Sequence, residues 1–243
     1  MQHNKELIIN RFTHSMNSYD TIATVQKNIA DILAQKLTRW IKAPKNGVEI
    51  GSGTGFLTKN LIAQYPNCHW IANDITAESA KYLPQTIEFI QGDGESIEIP
   101  CNQDIIASSS TLQWFDDMPA FVEKTAADLA KKGILAISTF GPDNFKEILA
   151  TTGQGLTYHS QEQLIHILQA NNFKVLESKA WYETLQFASG AQVLRHLKLT
   201  GVNAIEPVVW TKSKLQNFEK IYIEKFDSPT LTFHPIIIIA QKL

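Results

Sequence analysis

A glycine-rich turn between a predicted strand and a predicted helix constrains the fold of this chain most. Residues 46–58 read Asn-Gly-Val-Glu-Ile-Gly-Ser-Gly-Thr-Gly-Phe-Leu-Thr, in which residues 48–50 are typical of the end of a buried strand. The residues from 56 to 63 predict a helix. The turn itself contains three alternate glycines, Gly51, Gly53 and Gly55. Glycine permits unusual backbone angles and a close approach of a ligand. Because backbone N–H groups and a helix N-terminus meet here, we expect an α/β fold with a ligand at this turn.

The spacing of the glycines and one acid indicate the charge of that ligand. The turn reads G-x-G-x-G, whereas the dinucleotide-binding fingerprint reads G-x-G-x-x-G, so the third glycine is not at the position that the fingerprint requires. Glu49, two residues before Gly51, would repel a pyrophosphate and attract a cation such as a sulfonium with an α-amino group. The E-x-G-x-G-x-G pattern resembles motif I of the class I S-adenosylmethionine (SAM) methyltransferases. A glycine turn without a ligand is the alternative.

Two further acids follow predicted strands. Asp74 ends a strand roughly 20 residues past the glycines, where an acid in this architecture binds the ribose hydroxyls. Ile75 would then pack on the adenine face. Asp93 and Gly94 follow a third strand, and we expect Asp93 to accept from the adenine N6 amine while backbone N–H groups meet a ring nitrogen. A solvated acid at the end of a strand is the alternative for Asp74.

The fourth predicted strand ends in a polar loop. Ser109 lies at its carboxyl end, where ligands bind in open α/β sheets. Gln113 and Trp114 begin the next segment and are predicted to wall the methyl-transfer site, although Trp114 suits the core equally well. The predicted fifth strand covers residues 134–140 and follows a helix over residues 121–132 that Gly133 ends.

The flanks of this core are predicted to be helical. Residues 5–40 have a helical apolar spacing that is broken once near residues 16–19. They form either a lid that places Tyr19 over the ligand and Arg11 near its carboxylate, or a helix pair packed over the sheet. Further on we predict a helix over 160–170, one long strand over 173–187 and its partner over 230–242. Between those strands lie two helices, at 191–199 and 212–226.

Composition limits the functional classes. The 243 residues fit a single domain with a lid (1–40), a SAM-binding core (46–187), a helical acceptor-recognition insertion (188–229) and a final strand (230–243). A net charge of −2 argues against general binding of nucleic acid or membrane surfaces. Two dissimilar cysteines, no metal-ligand cluster and no apolar leader favour the cytoplasm. The longest apolar run is far too short to span a bilayer.

Several longer segments resemble one family, the malonyl-[acyl-carrier protein] O-methyltransferases of biotin synthesis. The resemblance is carried by Arg11-Phe12, Tyr19-Asp20, Gln26, the glycine turn, Leu112-Gln113-Trp114, the segment 193–204 and the segment 231–235. It implies the class I SAM methyltransferase fold, which is a Rossmann-like seven-stranded sheet, mostly parallel, with an antiparallel last strand. It also implies SAM as the cofactor and no metal.

The implied reaction is methyl transfer to the free carboxylate of malonyl-acyl-carrier protein or malonyl-CoA. A carboxylate with a pKa of roughly 4 is already ionised at neutral pH, so no general base is needed. We expect Arg195 to hold the acceptor by a charge-assisted fork, and Lys198 and Lys212 or Lys214 to meet the acidic carrier. The alternative is a solvated helix arginine at position 195 and ordinary surface lysines at the other three. The alternatives are another small-molecule methyltransferase, for a small carboxylate or a quinone precursor, and a non-catalytic SAM-binding module. The sequence leaves the oligomeric state open.

Overall fold

The structure, a computed structural model, describes residues 4–202 and 211–243. Its strands are β1 (Asn46–Ile50), β2 (His69–Asp74), β3 (Glu88–Gln91), β4 (Gln103–Ser109), β5 (Leu129–Phe140), β6 (Phe173–Ala180), β7 (Glu183–Gln186), β8 (Thr230–Phe233) and β9 (Pro235–Lys242). Its helices are α1 (Lys5–Ile22), α2 (Thr24–Leu37), α3 (Phe56–Gln64), α4 (Met118–Asp128), α5 (Lys146–Thr152), α6 (Gln161–Ala170), α7 (Gly190–Leu199) and α8 (Lys212–Phe226). Within the described ranges, none of these helices combines the length and the apolar character that crossing a bilayer requires.

Seven strands form one sheet in the order β3-β2-β1-β4-β5-β9-β6. The strands from β1 to β5 pair in parallel, whereas β9 lies between β5 and β6 and runs antiparallel to both. The predicted seven-stranded, mostly parallel sheet with an antiparallel last strand is therefore confirmed. Its order reverses between β1 and β4, which is the point where open α/β sheets bind ligands.

The sheet is covered on both faces, and β9 shows why. Its isoleucines alternate between the two layers: Ile237 and Ile239 pack with α2, α3 and α7, whereas Ile236 and Ile238 pack with α4 and α6. All four are almost completely buried. A strand buried on both faces needs a continuous apolar run instead of an alternating one.

The predicted break in the N-terminal helix is wrong in position. The chain stays helical through residues 16–19 and breaks at Ala23, whose N–H donates to the Tyr19 carbonyl. The polar segment remains helical because the hydroxyls of Ser15 and Ser18 donate to backbone carbonyls, one of them the Leu199 carbonyl on α7. Tertiary packing therefore overrides the local polarity.

The predicted boundary between α4 and β5 is also wrong. The helix ends at Asp128, and Leu129 already pairs with Gln103 of β4. Residues 129–132 are helix-compatible in sequence, yet Leu129 pairs with β4 on one side and its carbonyl accepts from the Lys242 side chain of β9. Gly133 thus lies inside β5 and does not end a helix.

The two long strands predicted near the C-terminus are each broken. β6 stays in the large sheet to Ala180, and β7 leaves it to pair with β8 in a separate two-stranded sheet. The partner strand is interrupted at His234, immediately before Pro235, which has no backbone N–H to donate. Helix α5 was not predicted. The two insertion helices lie where the sequence indicated.

The burial of β9 predicts a large stability effect. Ile239→Ala should lower the free energy of unfolding by about 2–5 kcal/mol, because the side chain is fully buried and leaves a cavity. Ile223→Ala, at a 45% exposed position of α8, is the matched control and should change it by less than about 1 kcal/mol. Chemical denaturation of both variants measures the difference, and equal losses would contradict the assigned core.

Candidate functional site

A cavity opens at the carboxyl ends of β1, β2 and β4, beneath α1. Most of the residues predicted from the sequence line it: Tyr19, Glu49, Gly51, Gly53, Asp74, Ile75, Asp93, Gly94, Ser109, Gln113 and Trp114. Three predicted residues are not in its wall: Gly55, Arg195 and Arg11. Gly55 caps α3 and faces Leu83, and Arg195 is exposed on α7.

The glycine turn is held by the end of β2. The N–H groups of Gly51 and Ser52 both donate to the Asn73 carbonyl, at 2.9 and 2.8 Å. Gly51 has a φ of 75°, and a Cβ there would lie 2.2 Å from the Thr111 hydroxyl oxygen. Both the backbone angle and the close approach of Thr111 therefore require glycine at position 51.

Asp74 fastens the same turn through its side chain. Its Oδ2 accepts from the Gly53 N–H and its Oδ1 from the Thr76 N–H, each at 2.8 Å. Burial nevertheless raises the pKa of this carboxyl, because the charged form loses its hydration. Each oxygen can accept a further hydrogen bond, so the carboxylate can still bind a diol.

Glu49 is a second buried carboxyl at the turn. It is 2% exposed and accepts a hydrogen bond from the Thr58 hydroxyl of α3. Burial raises the pKa of Glu49 to about 8, the Thr58 bond lowers it and the charge of Asp74 raises it further. Within residues 4–202 and 211–243, neither Glu49 nor Asp74 forms an ion pair. A cationic ligand would supply the missing positive charge.

Several buried polar atoms in the cavity wall have no hydrogen-bond partner within the described part of the chain. They are Gln26 Oε1, Ser52 Oγ, Thr54 Oγ1, Asn73 Oδ1 and Ser110 Oγ. Buried polar groups in proteins are nearly always paired, so such a cluster is typical of a site that binds a polar ligand. Together with the two acids, these donors and acceptors fit the charged amino-acid and ribose groups of SAM.

Gln113 is oriented on the β4–β5 side of the cavity. Its Nε2 donates to the Ser110 carbonyl at 2.6 Å, and its Oε1 accepts from the Thr139 hydroxyl at 3.4 Å. Ser109 shares a hydrogen bond of 2.9 Å with the Ser138 hydroxyl of β5. Trp114 is only partly buried and lines the cavity, so it lies outside the main core.

Tyr19 covers the turn from α1. Its ring stacks on Phe56 at 5.6 Å between centroids and meets Phe12 edge to face at 5.2 Å. Burial raises the pKa of Tyr19 well above its usual value, and the charges of Asp20 and Asp74 raise it further. The phenol therefore stays protonated and can act only as a hydrogen-bond donor or acceptor, not as a base. Arg11 does not line the cavity.

Lys5 was missed by the sequence analysis and holds α1 closed over the cavity. Its ammonium donates to Glu95 Oε2 at 2.6 Å and to the Trp114 carbonyl at 3.0 Å, and it lies 3.4 Å from Asp93 Oδ2. Nothing in the sequence distinguishes this lysine from one on a solvated helix. Asp93, predicted to bind adenine, is therefore also an anchor for α1.

The insertion reaches the cavity from the other side. Thr200, Gly201 and Val202, at the end of α7, line it. Gly201 has a φ of 72°, and a Cβ there would lie 2.7 Å from the Ser15 hydroxyl of α1. Asn203 and Ala204 of the same motif lie outside the described residues. Lys198, Lys212 and Lys214 are exposed. In the described part of the chain, no group of His, Cys, Asp and Glu is suited to hold a metal.

Comparisons with known proteins agree with this geometry. The methyltransferase domain family matches residues 22–178. A malonyl-[acyl-carrier protein] O-methyltransferase of Bacteroides thetaiotaomicron is 35% identical, with 98% of each chain covered. One of Bacteroides fragilis is 36% identical over 98% of this chain, which spans 50% of that longer protein. A solved SAM-dependent methyltransferase of Thermotoga maritima has the same fold, with a TM-score of 0.58, 17% identity, and 97% and 100% of the two chains covered.

The raised pKa of Glu49 predicts a pH-dependent stability in the absence of ligand. Between pH 4.5 and about pH 8 the folded protein holds a proton that the unfolded chain has lost, so the free energy of unfolding falls as pH rises. Glu49→Gln should flatten this decline over the whole range, so the difference between the parent and the variant should be largest near pH 8. Thermal melts from pH 5 to pH 8.5 measure it, with Glu123→Gln at an exposed position of α4 as the control. Identical pH slopes for Glu49→Gln and the parent would contradict the assignment.

Proposed function

The chain belongs to the family of malonyl-[acyl-carrier protein] O-methyltransferases, and from that premise we propose that it esterifies the free carboxylate of a malonyl thioester. The methyl donor is SAM. The proposed acceptor is malonyl-acyl-carrier protein, with malonyl-CoA as the smaller alternative. The proposed role is to mask the malonyl carboxylate on the way to biotin. The proposed location is the cytoplasm, in which Cys68 and Cys101 would remain free thiols.

The two uncompensated acids at the glycine turn support the donor half of the proposal. When bound, SAM supplies a methyl group on a positively charged sulfonium. Glu49 is proposed to face the positive charges of the donor, and Asp74 its ribose hydroxyls. Asp93 and the backbone of Gly94 are proposed to meet the adenine, with Ile75 against its face. Without a ligand Glu49 keeps its proton below about pH 8, so a bound cation is proposed to displace that proton, and the buried carboxylate then attracts the cation more strongly than it would in water.

The absence of a required base supports the acceptor half. A malonyl carboxylate is ionised at neutral pH and needs only to be aligned with the methyl group. Tyr19, which stays protonated, is proposed to hold the acceptor by a hydrogen bond, and the oriented amide of Gln113 to wall the reacting centre beside Trp114. Reaction of a carboxylate with a sulfonium gives two neutral groups, so a cavity with a mainly apolar lining favours the transition state over the charged reactants.

The insertion is proposed to receive the acceptor. Arg195 remains our proposed partner for the malonyl carboxylate or its thioester. Since it does not line the cavity but lies on α7, which leads directly into the lining residues 200–202, we propose that it binds the acceptor at the mouth of the cavity. Its exposure on the free surface leaves the guanidinium available to an arriving anion. Exposed lysines also lie on α7 (Lys198) and on α8 (Lys212 and Lys214), and we propose that they contact the acidic carrier protein.

Methylation of the acyl group tests the proposal. Purified protein, SAM and malonyl-acyl-carrier protein should give a carrier whose acyl chain is heavier by one methylene unit, and saponification should reverse the change. Arg195→Ala should raise KM for the carrier by about tenfold, since a charge-assisted hydrogen bond is worth about 1.5–3 kcal/mol.

Three results would contradict the proposed methylation of malonyl-acyl-carrier protein. Malonyl-CoA turning over while the carrier does not would replace the proposed acceptor. Methylation of a quinone precursor alone would indicate ring chemistry, for which Arg195 is dispensable. SAM binding with no turnover of any acyl acceptor would indicate a non-catalytic binding module.

The contacts of Lys5 predict how α1 controls the donor. Lys5→Met keeps the aliphatic stem and removes the charge that joins α1 to Glu95 and Asp93. We expect S-adenosylhomocysteine to dissociate about five- to tenfold faster, because α1 opens more often. Stopped-flow displacement measures this rate. Lys81→Met, which breaks an exposed ion pair with Glu78, is the control. Slower or unchanged release from Lys5→Met would contradict a closing role for α1.

A further inference from the structure

Gln26 is a polar residue on an otherwise apolar face of α2. Its neighbours Val25, Ile29 and Ala30 are at most 1% exposed and belong to the core. Gln26 itself is 4% exposed, and its Oε1 has no hydrogen-bond partner among the residues that the structure describes. A buried, unpaired amide oxygen destabilises the folded protein, so packing alone does not account for this residue.

Gln26 reaches the cavity at its glycine-turn end. Gln26 and Ala30, one helical turn apart, both line the cavity. Helix α2 packs against α3, which begins directly after the glycine turn, and against β4 and β5. The lining residues at this end include Glu49 from β1 and Leu57 from α3. The proposed adenine group of residues, which includes Asp93, lies instead at the carboxyl ends of β2 and β3.

The ligand group that belongs at this end is a zwitterion. The amino-acid end of SAM carries an ammonium and a carboxylate, and Glu49 can pair with the ammonium. Lys5 is the only lysine or arginine among the described residues that line the cavity, and it is already bound to Glu95 and lies beside Asp93. The carboxylate of the donor must therefore be held by neutral donors.

We propose that Gln26 binds the amino-acid end of SAM and thereby positions the donor. Its amide carries both an acceptor and a donor, so it can bridge the ammonium and the carboxylate of one zwitterion. The unpaired hydroxyls of Ser52 and Thr54, in the glycine turn below, complete the set of neutral donors for the carboxylate. Gln26 contacts the donor and does not take part in bond making, so it is a positioning residue. This inference rests on the donor and not on the proposed acceptor.

Two ligands that differ only in the amino-acid end test the proposal. S-adenosylhomocysteine carries the zwitterion, whereas 5′-methylthioadenosine lacks it. Gln26→Leu should weaken binding of S-adenosylhomocysteine by about 5- to 100-fold and leave binding of 5′-methylthioadenosine within about twofold, as measured by calorimetry. Gln35→Leu, at an exposed position of the same helix, should leave both affinities unchanged.

The melting temperature of the ligand-free protein separates binding from structure. Removing a buried amide whose oxygen is unpaired should keep or raise this temperature in both Gln26→Leu and Gln26→Met. Lower melting temperatures in both variants would overturn the proposal in favour of a structural role. An equal loss of affinity for both ligands in Gln26→Leu would also overturn the proposal. So would unchanged affinity for both ligands together with a raised KM for the acceptor. Because neither ligand needs an acceptor, these results stand apart from the malonyl assay.

Discussion

The hydrogen bonds that join the glycine turn to the end of β2 are the constraint on which the site depends. Asp74 binds the Gly53 N–H through one oxygen, and the neighbouring Asn73 carbonyl accepts from Gly51 and Ser52. Parallel pairing of β1 with β2 brings these groups to the same edge of the sheet. They determine where α3 begins, and α3 in turn provides the Thr58 hydroxyl that holds Glu49. The position of the cavity therefore depends on the hydrogen bonds between the glycine turn after β1 and the end of β2.

The two acids at this turn lower the stability of the ligand-free protein. Glu49 and Asp74 are both buried and both have raised pKa values, and the charge of Asp74 contributes to the rise at Glu49. Backbone N–H groups and one hydroxyl stabilise them only in part, since hydrogen bonds do not replace a counter-ion. Perturbed acids of this kind cluster at functional sites because the ligand supplies the missing charge. In this chain the same acids lower stability without the donor and attract it when it is present.

The sequence predicted those parts of the site that depend on neighbouring strands. Gly51, Asp74 and Asp93 each follow a strand, and parallel strands bring such positions together whatever the details of packing. Lys5 and Gln26 could not be predicted in this way, because each reaches the cavity only through the packing of a helix against elements distant in sequence. The same limit explains the error at residues 129–132, where Leu129 pairs with Gln103 of β4 and its carbonyl accepts from the Lys242 side chain. Arg195 was expected by resemblance alone, and its exposure moves its proposed role to the cavity mouth.

The two elements that close the cavity are also in direct contact with each other. Ser18 of α1 donates to the Leu199 carbonyl of α7 at 2.9 Å, and Gly201 admits the Ser15 hydroxyl and the backbone of α1 at a distance that any side chain would prevent. Helix α1 carries Tyr19 and Lys5 over the proposed donor groups, and α7 leads into the proposed acceptor side. The helix that covers the proposed donor groups and the segment that borders the proposed acceptor side are therefore joined by direct contacts, because both ends of this contact belong to one packed unit.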